Sequence, residues 1–146
     1  MIPKEKIQWM IQTTLKKYDL YSPEAYSLVY GTIIQESRRG QYRRQWVDNF
    51  DIMKHALGIA QMERNTFNWL MEVYINKYPV IRKVQFIDLC YNDPMSILFC
   101  RLRYRVVPKK IPLDLLGQAQ YYKKYYNTSY GLATVEDYIE NYNKWR

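Results

Sequence analysis

The feature that most constrains this chain is the spacing of its apolar residues, which repeats every three or four positions along most of its length. Ile7, Met10, Ile11, Thr14 and Tyr18 follow this rule, as in a helix that buries one face. Asp19 to Tyr21 breaks it. Ser22-Pro23-Glu24 reads as a new start: a hydroxyl to accept a free N–H, a proline with its φ preset, and an acid at the positive end of the helix dipole. Tyr26, Val29, Tyr30 and Ile33 make one stripe, and this amphipathic helix is expected to run to about Ser37 and stop before Gly40. Thr66 is expected to cap a helix bearing Phe67, Leu70, Val73 and Tyr74, which Lys77-Tyr78-Pro79 ends. Val80 to Leu89 reads as helical. Asp93-Pro94 opens the next helix, with Ile97, Leu98, Arg101 and Leu102 as its face and Pro108 as its stop. Pro112 opens another, with Leu115, Leu116, Ala119, Tyr122 and Tyr126 in register and Gly131 as its stop. Thr134 and Asp137 have the spacing of a capping box, ahead of Tyr138, Ile139, Tyr142 and Trp145. Only residues 41–61 lack a clean period, despite Trp46, Phe50, Met53 and Leu57, and there is room there for a short two-stranded β-ribbon. The chain has 146 residues, with no internal repeat, linker or low-complexity run. The expected fold is a single domain over residues 1–146, mainly α, of about seven helices.

Composition narrows the classes further. Hydrophobic residues make up 48%, enough for a packed core and too many for a disordered tail. The formal net charge of +8 favours an anionic partner: nucleic acid, lipid headgroups, or an acidic polymer such as a cell-wall glycan. Nucleic acid comes last of these, because no nucleic-acid-binding motif is present. The basic residues are dispersed, apart from one cluster at Arg38, Arg39, Arg43 and Arg44. Cys90 and Cys100 have no His or Cys at metal-ligand spacing and read as reduced, buried small hydrophobes. No zinc site and no phosphate loop can be built, so neither metal nor cofactor is expected. His55 stands alone in a loop and reads as non-catalytic. The first residues have no continuous apolar stretch or small-residue cleavage site, so no signal peptide is expected. No segment is long enough to span a membrane.

One acid stands out by position. Three residues beyond Ile33, the same stripe reaches Glu36, in the last turn of its helix. Partial burial and the negative end of the helix dipole should both raise its pKa. The neighbouring arginines would oppose this if they came close. The expected result is a carboxylic acid that still holds its proton near neutral pH.

Three segments around this acid carry a resemblance. Gln35-Glu36-Ser37, then Gly58-Ile59-Ala60-Gln61-Met62 ahead of Thr66, then Tyr126-Asn127 before Gly131, together resemble the lysozyme-like lytic transglycosylases. The resemblance spans about residues 23 to 131. It implies a lysozyme-like fold and a peptidoglycan-cleaving enzyme. Glu36 would protonate the glycosidic oxygen between N-acetylmuramic acid and N-acetylglucosamine, then act as base on the sugar's own 6-hydroxyl to give a 1,6-anhydro product. Ser37, Gly58, Gln61, Met62, Tyr126 and Asn127 would bind or position the substrate. Gly58 would allow close backbone approach, while Ser37 and Tyr126 would hydrogen-bond Glu36. A second carboxylate from Asp48, Asp51 or Glu63 would instead support lysozyme-type hydrolysis.

The chain departs from that pattern in its basic Arg38 to Arg44 stretch and in lacking a Pro near Arg64 or Asn65. Small domains of this kind without a signal resemble those encoded by tailed bacteriophages. The resemblance then implies a virion component or an accessory factor made in the host cytoplasm. Its target would be the periplasmic wall, with other phage tail proteins as partners. A non-catalytic structural or wall-binding virion protein on the same scaffold is the alternative.

Overall fold

The computed structural model describes residues 1–43, 55–127 and 131–146. Among them the periodic segments form α1 (Lys4–Lys17), α2 (Pro23–Ser37), α3 (Arg64–Tyr74), α4 (Asp93–Arg105), α5 (Leu115–Tyr122) and α6 (Val135–Trp145). The chain is mainly α. No helix among the described residues is long and apolar enough to cross a membrane.

Several starts follow the capping chemistry of the sequence. The Ser22 hydroxyl accepts the Ala25 N–H at 3.0 Å with Pro23 at the head of α2. Thr134 and Asp137 close a reciprocal capping box on α6. Asn92 caps α4, one residue before Asp93-Pro94. Other expectations need correction. Thr66 does not cap α3, which begins at Arg64 with Glu63 at the cap position and no side-chain cap bond. Pro112 does not open α5. Asp114 does so, accepting the Gly117 N–H, because its carboxylate is an acceptor that a proline ring lacks. Residues 80–89 are not one helix but belong to two 3-10 turns, Pro79–Lys83 and Phe86–Cys90. Val84 is extended, and a Gln85–Asp88 capping box restarts the chain.

The largest difference concerns α2. Leu28, Val29, Tyr30, Gly31, Thr32, Ile33 and Ile34 are all buried, so the helix has no solvent face over those two turns. It is the central helix, packed against α1, α4, α5 and α6, and not an amphipathic surface helix. Close approach to α6 depends on Gly31, where a Cβ would lie 2.0 Å from the Tyr138 hydroxyl. That hydroxyl donates to the Leu28 carbonyl, and Thr32 shares a 2.7 Å hydrogen bond with Tyr104. Four of the tyrosines, Tyr30, Tyr104, Tyr122 and Tyr138, are among the largest fully buried side chains. They serve the core; the hydroxyls of Tyr104, Tyr122 and Tyr138 are hydrogen-bonded to Thr32, Glu36 and the Leu28 carbonyl, while that of Tyr30 is buried without a hydrogen-bond partner among the described residues.

Two stripe residues face outward: Val73 and Leu116 are exposed. Cys90 and Cys100 are free and buried. Most of the segment assigned room for a β-ribbon, residues 44–54, lies outside the described residues. What is described nearby is a single antiparallel bridge between Leu57 and Met62, with both hydrogen bonds at 3.0 Å.

Candidate active site

The end of α2 is built to turn sharply. Arg38, Arg39 and Gly40 all adopt positive φ, at 53°, 56° and 83°. Left-handed geometry costs a non-glycine residue about 1–2 kcal/mol, so the reversal has to be held from outside. Ser37 supplies much of the hold. Its buried hydroxyl lies 2.6 Å from the Ile59 carbonyl and 3.1 Å from that of Ile33, and it accepts the Gly40 N–H at 2.9 Å. The Arg38 guanidinium lies over the rings of Tyr42 and Trp145. Arg43 pairs with both carboxylate oxygens of Asp93. Arg38 and Arg43 therefore brace this corner, the Arg39 guanidinium reaches the Met1 sulfur, and Arg44 lies outside the described residues.

Ser37 thereby ties the helix end to a tight loop, residues 57–62. Gly58 sits at φ 82° with its N–H on the Arg43 carbonyl, and Gln61 sits at φ 49°. Ile59 and Ala60 plug into the core. Gln61 bends its amide back onto the Gly58 and Tyr42 carbonyls, at 2.9 and 3.3 Å.

The opposite wall comes from α5, which continues into a π-helical turn at Lys123–Asn127. Such turns change the register in which side chains leave a helix. Tyr122 and Tyr126 stack with ring centroids 5.9 Å apart. Asn127 accepts from the Lys123 ammonium, which also reaches the Gly131 carbonyl.

Between these walls lies a groove of about 420 Å³, lined by Glu36 with Gln61, Met62, Tyr126 and Asn127. Ala56, Glu63, Thr66, Arg103 and Gly131 complete its lining. Of the residues named from the sequence, Ser37 and Gly58 are not in the lining. Ser37 bonds to backbone and not to Glu36. Gly58 makes its close approach to the Leu89 carbonyl and Ser96, where a Cβ would lie at 2.3 and 2.5 Å. Tyr126 does not donate to Glu36 but to the Ala60 carbonyl, at 2.6 Å. The donor to Glu36 is Tyr122, whose hydroxyl lies 2.8 Å from Oε1. Asp48 and Asp51 lie outside the described residues. His55 is not in the lining, although its neighbour Ala56 is.

Burial raises the Glu36 pKa to about 7, against a lowering by the Tyr122 hydrogen bond and with a further rise from the Glu63 charge. No arginine among the described residues is a cause of this shift. No protein-family model, curated protein or solved structure matches the chain. The groove is therefore interpreted from its own chemistry. It offers one half-buried acid poised near neutrality, a phenol that steadies its ionised form, and amide and hydroxyl groups at hydrogen-bonding reach of a polar ligand. Among the described residues, no cluster of His, Cys, Asp and Glu could hold a metal ion.

The Tyr122 contact gives a directional prediction. Tyr122→Phe removes the hydrogen bond that favours the carboxylate, so the Glu36 pKa moves up. The carboxyl-carbon NMR titration of Glu36 should shift to higher pH in the variant. A downward shift would show that the hydroxyl does not serve the ionised form.

Proposed function

We propose that the chain is a peptidoglycan lytic transglycosylase that uses Glu36 as its acid and base. The observation that carries this reading is the setting of Glu36: a carboxyl poised near neutrality and open to a polar groove. The three motifs of the resemblance supply most of the groove's named walls.

Protonated Glu36 donates to the glycosidic oxygen, and the bond from that oxygen to the sugar C1 breaks. The anomeric carbon becomes cationic, as in other glycoside cleavages. Glu36, now a carboxylate hydrogen-bonded by Tyr122, takes the proton of the same sugar's 6-hydroxyl. The freed oxygen closes on C1 to give the 1,6-anhydro ring, and Glu36 regains the proton for the next cycle. Gln61 and Asn127 offer amides to hold the substrate, and Tyr126 anchors the Ala60 carbonyl so that the loop keeps its place. No second carboxylate is required. On this reading the target is the periplasmic wall, reached as part of a virion.

A hydrolytic variant of the same reading rests on Glu63, which lines the same groove. As a base it could activate a water against C1. Digestion of purified wall sacculi, followed by mass spectrometry of the fragments, separates these outcomes. Anhydro ends are the expected result, and reducing ends would assign the reaction to hydrolysis. Sacculus binding with no fragments released, unchanged in Glu36→Gln, would leave a non-catalytic wall-binding protein.

A further inference from the structure

A second cavity, of about 550 Å³, lies at the C-terminal end of α4 and shares no lining residue with the Glu36 groove. Four cations line it, Arg101, Arg105, Lys109 and Lys110, against one carboxylate, that of Glu24. The sequence brings them together in a simple way. Arg101 and Arg105 are four residues apart, which places them on one face of the helix, and α4 stops at Arg105. Pro108 cannot continue a helix, and Lys109-Lys110 follow it along the same cavity. The Tyr121 hydroxyl donates to the Lys109 carbonyl at 2.8 Å, so α5 holds this stretch in place.

Arg101 is half-buried. Its Nε donates to the Leu20 carbonyl at 3.0 Å, its only hydrogen bond among the described residues. Its two terminal amino groups are left over. Burial, then the Arg105 charge, lower the Arg101 pKa, and no carboxylate is among the groups that oppose them. Arg43, also half-buried, is by contrast ion-paired with Asp93. Glu24 stands in the first turn of α2, at the positive end of that helix dipole, and forms no ion pair with the four cations. Like charges one turn apart repel, and a half-buried cation without a partner costs stability. An anion in the cavity relieves both.

The charge balance selects the ligand. Four cations against one acid leave a surplus of three on the walls, which a single carboxylate would not meet. A phosphate group brings about two charges at neutral pH, and a guanidinium fork takes two of its oxygens side by side. A nucleic-acid strand fits less well, because Tyr104 and Tyr121, which line the cavity, are buried and leave no ring face for a base.

We propose that this cavity binds a phosphate group, carried by a soluble phosphate compound or by a lipid headgroup, with Arg101 as the fork that receives it. The site stands independently of the glycan-cleaving reading.

The test is titration of the full chain with inorganic pyrophosphate at constant ionic strength, followed by amide NMR. Saturable binding is expected, with the largest shifts in residues 101–111. Arg101→Gln should weaken it at least about tenfold, the loss of a charged hydrogen-bond pair. Arg101→Lys should restore only part, since an ammonium lacks the fork. Because Arg101 also holds the Leu20 carbonyl, the pair Lys109→Gln and Lys110→Gln, at two exposed positions, serves as a second variant and should weaken binding severalfold. Lys144→Gln, exposed on α6, should leave it unchanged. Co-sedimentation with phosphatidylcholine vesicles, with and without phosphatidic acid, separates the sources. Retention that needs both phosphatidic acid and Arg101 assigns a headgroup, and pyrophosphate binding without retention assigns a soluble compound. Shifts that rise without saturation across the basic surface, or an affinity lowered equally by Arg101→Gln and Lys144→Gln, would mean diffuse counter-ion attraction and overturn the site.

Discussion

If the chain cleaves glycan as proposed, Glu36→Gln should lower cleavage by roughly 10²–10⁴-fold, and at the same time make the chain more stable in alkaline solution. Both effects come from one carboxyl. Gln preserves the shape and can still hydrogen-bond Tyr122, but it has no proton to give. Turnover of sacculi at pH 6 checks the first effect, and undiminished cleavage would remove Glu36 from the chemistry. The second follows from linkage. Burial raises the folded-state pKa from 4.5 to about 7. Between those values the folded chain keeps a proton that the unfolded chain has lost, so stability falls as pH rises, and the loss is complete above pH 7. The full shift corresponds to roughly 3 kcal/mol, and partial access to solvent reduces it to roughly 1–3 kcal/mol. Gln at this position carries no such penalty. Thermal melts should show the two proteins alike near pH 4.5 and the variant ahead by several degrees at pH 8.5. A wild-type chain that is the more stable at pH 8.5 would mean that the carboxylate is well solvated or paired.

Gly58→Ala is the second large effect, and it is one of folding. At φ 82° a Cβ is strained, and it would also sit 2.3 Å from the Leu89 carbonyl and 2.5 Å from the Ser96 hydroxyl. Those two groups are bonded to each other at 2.7 Å, so neither can retreat without breaking that contact. Left-handed strain and overpacking together predict a loss of roughly 2–5 kcal/mol in urea unfolding. The loop carrying Gln61 should be displaced and glycan binding weakened in proportion. Full stability with abolished binding would instead restore the reading in which Gly58 is bare so that substrate can approach.

These two residues show how differently the sequence spoke about fold and site. Helix starts were legible where a polar side chain leaves one good cap, as at Ser22 and Thr134. They were displaced where two candidates compete: Asp114 took the role expected of Pro112, and α3 begins ahead of Thr66. Periodicity carried Glu36 to the packed side but misjudged its helix. A stripe predicts one buried face, whereas α2 is enclosed because four other helices converge on it, and no local pattern records that. The same limit hid the donor to Glu36. Tyr122 and Tyr126 share a stripe four residues apart, and the turn of the helix decides which reaches the acid and which reaches Ala60. Arg103 gave no signal, since a charge on a helix reads as solvated until a neighbouring helix brings a groove against it.

The most direct test of the account is the titration of Glu36 itself, followed by the carboxyl-carbon NMR signal of the unliganded wild-type chain. Burial of Glu36 predicts a midpoint near pH 7, well above an ordinary glutamate. A midpoint near 4.5 would leave Glu36 an ordinary surface carboxylate and would contradict its assignment as the acid.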